Sequence, residues 1–365
     1  RSDWKTYPVL YLDLSGQAYI EKDALNDILK TNIERWKKEY EVKCEENSPS
    51  LAFSTIVQEI YKQTGDPVVI LVDEYDAPLL STLNNTELND HYRAILKGFY
   101  TVLKSCGEYI RFSFLTGVSK FSSLTIFSGL NNLVDISMLD EYSEICGLTE
   151  NEILTYFSEE LNEFAIANNT TTEVAIASLK KHYDGYHFSK NSKDIYNPFS
   201  LCNALATKEI SDYWFRTGTP TFLVEFIAKN CVNMPSLDSG DIMLKAKHLA
   251  DYRANGDDIV PLLFQAGYLT IKEYIQDGNY YVLGYPNDEV RYAFVNSLFE
   301  EYTRSIPSAH SHFSIISFTQ LMKKKDIEGI LQRINSLLES LPYDSLKKDK
   351  IHLREYNIQT TVYLI

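Results

Sequence analysis

The sequence predicts an α/β fold in which helices cover a parallel sheet. Strand and helix patterns alternate along the first third of the chain, an order typical of parallel sheets. Five consecutive aliphatic residues, Val68 to Val72, indicate a central strand that is buried on both faces. Polar residues follow this strand and a later one. Open α/β sheets bind ligands at the carboxyl ends of their strands, so the sequence predicts a site at that edge.

The elements of the first third can be placed in order from their patterns. Apolar residues of the first helix, from Leu25 to Trp36, recur at helical spacing along one stripe. Glycine and proline in Gly65-Asp-Pro67 end the second helix, just before the aliphatic strand. The predicted order is a strand over 7–14, helices over 21–40 and 51–64, the aliphatic strand, a helix over 90–106 and a strand over 109–115.

The rest of the chain predicts a helical lid and then a small domain of winged-helix outline. The lid helices are expected over 150–168, 174–183, 198–207 and 221–229. A helix over 259–266, strands over 268–274 and 280–284 around the turn Gln276-Asp-Gly-Asn279, and a helix ending at Tyr302 follow. The predicted domains are 1–147 for the α/β core, 148–258 for the lid, 259–305 for the winged helix and 306–365 for a helical linker.

Composition limits the classes of protein that the chain can belong to. A formal net charge of −15 excludes a basic surface over the whole chain, although it allows a local basic patch. The five cysteines are scattered and never have Cys-x-x-Cys spacing, which argues against a zinc site or a disulfide framework and favours a cytoplasmic location. No apolar run is long enough to span a membrane, so we expect no membrane partner.

Asp73 and Glu74, directly after the aliphatic strand, are the first candidate site residues. In the Walker B arrangement of P-loop NTPases one acid holds Mg²⁺, directly or through water, and the next polarises an attacking water. Asp73 is then the metal and cofactor-binding residue, and Glu74 the catalytic one. The alternative is that both acids only cap a turn, because Asp76-Ala-Pro78 is turn-like.

Thr116 and Lys120 follow the next strand and are the second pair of candidates. A polar residue in the position of Thr116 senses the γ-phosphate in RecA-like ATPases, and Lys120 could reach a phosphate as a point charge. An ordinary surface lysine explains Lys120 equally well. Gly218 and Pro220 open a predicted helix that could pack against a bound nucleotide, although a normal helix start also accounts for them.

The partner motif of a Walker B strand is missing from the sequence. No G-x-x-x-x-G-K-[ST] phosphate loop occurs anywhere in the 365 residues. Without its backbone N–H groups and its lysine, phosphates have little to bind. We expect such a loop to precede the first strand, before Arg1.

Several segments together resemble the bacterial AAA-ATPase-like proteins, in which an ATPase-like module is commonly followed by a PD-(D/E)XK nuclease-like domain. Two of the most characteristic are Ile-Leu-Val-Asp-Glu-Tyr-Asp-Ala-Pro-Leu (70–79) and Phe-Leu-Thr-Gly-Val-Ser-Lys-Phe-Ser (114–122). The matching segments are 7–16, 70–79, 114–122, 127–133, 183–188, 196–201 and 217–223. Any one of them is weak evidence, but their combination and order are specific.

The resemblance implies a RecA/AAA-like core that lacks its phosphate loop. It implies Asp73 as the metal-side acid, Glu74 as the water-activating acid, and Thr116 with Lys120 as sensors. ATP and Mg²⁺ are the implied cofactors, both expected only together with the missing loop. A nuclease-like domain would begin near Tyr356, so the sequence is expected to be truncated at both ends and inactive by itself.

Two functions remain open at this point. The first is an ATPase-type regulatory module that, in the full-length protein, binds and hydrolyses ATP and controls the attached nuclease-like domain. Its expected partners are ATP, a nucleic acid bound through the nuclease-like domain, and further copies of itself. The second is an inactive interaction module whose winged helix binds protein or DNA. For DNA, Lys272 in the wing is favourable, whereas Glu273 and Asp277 would repel phosphates.

Overall fold

The computed structural model contains two compact units. Unit 1 contains Arg1–Asp135 and Lys247–Gly256, and unit 2 contains Ile136–Ala246 and Asp257–Ile365. The described residues are 5–16, 18–83, 85–118, 126–127, 129–214, 242–250, 259–302, 320–321 and 323–340. The bounds of the four predicted domains stay predictions.

Unit 1 is built on a three-stranded parallel sheet in the order β1-β2-β3. Its strands are β1 (Val9–Asp13), β2 (Val68–Asp73) and β3 (Ile110–Leu115). Each lies inside or within a residue of a predicted strand. The predicted parallel sheet in a mixed α/β fold is therefore confirmed.

Helices of unit 1 pack against one face of this sheet. They are α1 (Ala24–Glu39), α2 (Pro49–Thr64), α3 (Ala77–Leu80), α4 (Thr86–Tyr100) and α5 (Val102–Ser105). The helix predicted over 90–106 is two helices, with Thr101 between them. It also begins earlier, because the Asn85 side chain accepts a hydrogen bond from the Leu88 backbone N–H at 3.1 Å and caps α4.

The second face of the sheet is only partly covered. Along β2, buried residues alternate with half-buried ones, so that Val68, Ile70 and Val72 face the core. On the opposite face Tyr11 is 42% exposed and Phe112 is 54% exposed. The prediction that β2 is buried on both faces is wrong for the described part of the chain. A parallel sheet ordinarily has both faces covered, so this open face is unusual.

Helices form most of the described part of unit 2. The bounds are α6 (Glu150–Tyr156), α7 (Ser158–Ala167), α8 (Thr172–Tyr183), α9 (Pro198–Thr207), α10 (Ala246–Ala250, which crosses into unit 1), α11 (Val260–Gln265), α12 (Asp288–Tyr302) and α13 (Ile327–Ser340). The predicted helix 150–168 is broken at Phe157. The helix predicted over 221–229 lies outside the described residues. None of the described helices combines the length and apolar character needed to cross a bilayer.

A three-stranded antiparallel sheet in the order β4-β6-β5 completes unit 2. Strands β5 (Thr270–Ile275) and β6 (Tyr280–Gly284) form the predicted hairpin. Strand β4 (Ile242–Lys245) was not predicted and lies in a segment assigned to the helical lid. Four residues give too weak an alternation to be recognised, and β4 forms by pairing with β6.

A buried junction in unit 2 connects the end of α8 to the segment that enters α12. The Asn287 side chain donates a hydrogen bond to the Asp184 carbonyl at 2.9 Å. Gly185 has a φ of +94°, and a Cβ there would lie 2.2 Å from the Pro286 carbonyl oxygen. The Glu289 carboxylate also accepts the Ser200 hydroxyl at 3.0 Å. Helices α8, α9 and α12 of this unit are therefore tied together directly.

Candidate functional site

The carboxyl ends of the three parallel strands bring the predicted acids and threonine together. Register pairs Asp13 of β1 with Asp73 of β2. The Thr116 backbone N–H continues the ladder beyond β3, donating to the Val72 carbonyl at 2.8 Å. Asp13, Asp73 and Thr116 thus lie side by side along one edge of the sheet. This edge is where open α/β sheets bind ligands.

Asp73 is held by hydrogen bonds through one of its carboxylate oxygens. The Thr116 hydroxyl donates to Asp73 Oδ1 at 2.6 Å, and the Glu74 backbone N–H donates to the same oxygen at 3.1 Å. Among the described residues, Oδ2 is approached by the Tyr11 hydroxyl at 3.5 Å, the outer limit of a hydrogen bond. Oδ2 is therefore the oxygen that a ligand can reach at little cost.

Glu74 adopts a backbone conformation that is rare for residues other than glycine. Its φ is +49°, in the left-handed region. Two neighbouring bonds hold it there: the Tyr75 N–H donates to the Thr116 carbonyl at 2.9 Å, and the Ala77 N–H donates to the Glu74 carbonyl at 3.0 Å. Such conformations are concentrated at functional sites. The turn therefore fixes the direction in which the Glu74 side chain leaves the sheet.

The surroundings of Glu74 disfavour its charge. Burial raises the pKa of the Glu74 carboxyl, and the negative charges of Asp73, Asp76 and Asp13 raise that pKa further. A general base works best when its pKa approaches the operating pH. The direction of this pKa shift is the one that such a role requires.

A comparison with known families matches the part of the chain that forms the parallel sheet. Residues 1–127 match the family of predicted AAA-ATPases. The match covers β1, β2, β3 and the edge residues Asp73, Glu74 and Thr116. An ATPase-like module in this part of the chain is thereby supported.

A second comparison extends along almost the whole chain. The chain is 30% identical over 357 residues to "Uncharacterized protein in vnfD 5'region" from Azotobacter chroococcum mcd 1. The alignment covers 96% of this chain and 66% of that protein. The chain thus spans just under two thirds of the length of this relative, whose name assigns it no activity.

Two further acids belong to this edge of the sheet but were not predicted as site residues. Asp13 is the register partner of Asp73. Asp76 is fully buried, and its Oδ1 accepts the Val118 backbone N–H at 3.1 Å. An acid at the end of the first predicted strand was the signal for Asp13. Nothing in the sequence distinguishes Asp76 from an ordinary turn residue, because its role depends on Val118, which is 42 residues away.

Three predicted site residues lie outside the described part of the chain. They are Lys120, Gly218 and Pro220. Their proposed contacts with phosphate and nucleotide stay predictions.

The donor set of the edge suits Mg²⁺ in the way that nucleotide sites bind it. No group of three or more His, Cys, Asp or Glu side chains in the described residues is arranged to hold a metal ion by itself. Mg²⁺ usually takes one or two carboxylates and completes its shell with water and substrate phosphates. Asp73 Oδ2 provides one such oxygen. The edge therefore fits Mg²⁺ that arrives together with a nucleotide.

Proposed function

We propose that this protein is an ATPase-type regulatory module, which binds Mg²⁺·ATP at the carboxyl edge of β1, β2 and β3 and hydrolyses it in the full-length protein. One observation carries the proposal. The Thr116 hydroxyl bonds to Asp73 at 2.6 Å, beside a Glu74 whose backbone is held in the left-handed region. An acid pair and a polar residue on adjacent strands are the parts that phosphoryl transfer to water requires.

Each residue of the edge has a chemical role in this proposal. Asp73 holds Mg²⁺ through Oδ2, and the ion when bound neutralises phosphate charge. Glu74 accepts a proton from water as the water oxygen bonds to the γ-phosphorus and the bond from that phosphorus to the bridging oxygen breaks. Thr116 contacts the γ-phosphate. In the same proposal Lys120 adds positive charge, and Gly218 with Pro220 pack on the nucleotide.

The outer edges of β1 and β3 differ, and this difference supports a phosphate loop beside β3. The outer edge of β1 is occupied by α1: the Tyr40 hydroxyl accepts the Val9 N–H and donates to the Val9 carbonyl, both at 2.9 Å. Arg35 also donates to the Tyr11 carbonyl. β3 is the last strand on the other side, and no described strand pairs with its outer edge. We infer that the sheet continues beyond β3, with a strand whose phosphate loop lies beside Thr116.

Control of a nuclease-like domain is the second part of the proposal. ATP binding at the edge would change how the helices and the antiparallel sheet of unit 2 engage a PD-(D/E)XK nuclease-like domain, through which the protein would contact nucleic acid. Helix α11 followed by the β5–β6 hairpin and helix α12 supports a winged helix in this unit. In the same proposal the whole protein associates with further copies of itself.

The alternative is an ATPase fold without catalysis that serves as an interaction module. The observation in its favour is that the 365 residues contain no phosphate-loop motif. In that case the winged helix would bind protein or DNA. A gel shift that is strong with this chain and is lost in Lys272→Glu would favour DNA.

Binding and turnover of Mg²⁺·ATP by the full-length protein test the two functions. We expect Glu74→Gln to bind Mg²⁺·ATP as wild type does but to hydrolyse it about 10²- to 10⁴-fold more slowly, because it lacks the general base. Glu59→Gln is the matched control, since Glu59 pairs with Lys62 on the surface of α2. If Mg²⁺·ATP leaves the melting temperature of the wild-type protein unchanged, the ATPase proposal is wrong.

A further inference from the structure

Two turns meet at the carboxyl edge of the sheet, residues 73–76 after β2 and residues 116–118 after β3. Hydrogen bonds between described residues join them: the Thr116 hydroxyl donates to Asp73, and the Tyr75 N–H donates to the Thr116 carbonyl. Another runs from the Val118 backbone N–H to Asp76 Oδ1 at 3.1 Å. Of these bonds, the one to Asp76 lies furthest from the strands. It holds the second turn against the first beyond Thr116.

The burial of Asp76 is costly. The residue is 0% exposed. Removing a carboxylate from water costs on the order of several kcal/mol unless hydrogen bonds or opposite charges compensate the buried charge. The negative charges of Asp73 and Glu74 are close to Asp76 in sequence, and the Asp76 charge acts on Glu74. The contacts that Asp76 makes offset this cost, and the bond from the Val118 N–H is one of them.

Gly117 provides the space that the contact requires. A Cβ on Gly117 would lie 2.5 Å from Asp76 Oδ1 and 2.6 Å from the Tyr75 ring. Real Cβ atoms essentially never approach other atoms this closely, so any larger residue would displace the Asp76 carboxylate or the Tyr75 ring. The close approach of the turns is thus specified at two sequence positions, 76 and 117.

We propose that Asp76 is a positioning residue: by accepting the Val118 N–H it locks residues 116–118 onto the 73–76 turn and so keeps the Thr116 hydroxyl against Asp73. The consequence for hydrolysis rests on the proposed function. Thr116 can contact a γ-phosphate productively only if its distance from the metal-side acid is fixed, and a displacement of about 1 Å can cost about 10²-fold in rate.

Asp76→Ala and Asp76→Asn in the full-length protein separate this role from general stability. Asp76→Ala removes the acceptor, so the Val118 amide should exchange its hydrogen at least about tenfold faster. Turnover of ATP should fall at least about tenfold while the Kd for Mg²⁺·ATP changes less than about threefold. Asp76→Asn retains an oxygen that accepts the Val118 N–H, so it should keep slow exchange and turnover within about threefold of wild type. Asp90→Ala, at an exposed position on α4, is the control.

Gly117→Ala tests the same contact without altering the acid. Its Cβ should force Asp76 away from Val118 and reproduce the fast exchange and slow turnover, even if Asp76→Ala does not fold. Unchanged Val118 exchange in Asp76→Ala, or in Gly117→Ala if Asp76→Ala does not fold, overturns the proposal, as does an Asp76→Asn protein as impaired as Asp76→Ala. A wild-type protein without ATP turnover would refute the proposed function alone, because hydrogen exchange at Val118 would still test its bond to Asp76.

Discussion

At the scale of single residues, the candidate site brings acidic side chains together at positions where their charges are unfavourable. Asp13, Asp73, Glu74 and Asp76 place four carboxyl groups at one edge of a small sheet. Like charges at this spacing destabilise one another, and burial adds to the cost for Glu74. Proteins retain such arrangements where function needs them. The conflict therefore has a measurable consequence for stability as well as for activity.

Glu74→Gln should stabilise the protein at neutral pH. The folded protein raises the pKa of the Glu74 carboxyl above its unfolded value of about 4.3, so the charged form is penalised in the folded state alone. The penalty is fully present above the folded pKa and vanishes below the unfolded one. We expect the variant to melt a few degrees higher at pH 7 to 8, with the gain disappearing as the pH falls towards about 4.

Thermal unfolding across this pH range measures the effect, with Glu59→Gln as the control. The control removes an exposed surface pair, so it should change the melting temperature little at any pH. An equal gain in both variants, or a gain for Glu74→Gln that grows as the pH falls, would contradict the assignment of a disfavoured charge to Glu74.

At the scale of elements, the ends of helices and strands carry most of the specific contacts. In unit 1 the turns after β2 and β3 are joined by hydrogen bonds, and α1 closes the outer edge of β1 through Tyr40 and Arg35. In unit 2 the end of α8 meets the segment before α12 at Gly185 and Pro286. Each contact joins segments that are distant in sequence, so its loss should weaken a whole unit.

Gly185→Ala should destabilise unit 2 by at least about 2 kcal/mol. The φ of +94° is strained for alanine, and its Cβ would meet the Pro286 carbonyl oxygen at 2.2 Å. Chemical denaturation followed by circular dichroism measures the loss. Gly107→Ala is the control, because a Cβ there meets nothing within 4 Å and its φ is not in the left-handed range. A loss no larger for Gly185→Ala than for Gly107→Ala would show that the junction can relax.

At the scale of the whole molecule, the open face of the parallel sheet exposes large apolar side chains. Tyr11 and Phe112 are exposed on it, and Phe112 stacks on Phe114 with ring centroids 6.2 Å apart. Exposed apolar surface next to an open strand edge is a site for association. In the proposed function this face and the edge of β3 are covered by the part of the protein that carries the phosphate loop.

Phe112→Lys should therefore act in opposite ways in two contexts. In residues 1–365 expressed alone, a lysine on the open face should reduce self-association, which light scattering and sedimentation measure. In a longer protein that carries the phosphate loop, the same lysine would be buried, so the melting temperature should fall by several degrees. Leu51→Lys, at a position 61% exposed on α2, should have little effect in either context. Equal behaviour of Phe112→Lys in the two contexts would mean that nothing covers the face.

The sequence by itself determined the three strands of unit 1, its first two helices, the parallel sheet and the positions of Asp73, Glu74 and Thr116 at strand ends. Periodicity and turn residues are local signals, and the carboxyl edge of a parallel sheet follows from strand order alone. The tertiary structure decided what depends on distant partners: the open face beside β2, the pairing of β4 with β6, the register of Asp13 with Asp73 and the bond between Asp76 and Val118. These features need two segments to meet in space, and no pattern within either segment records the meeting.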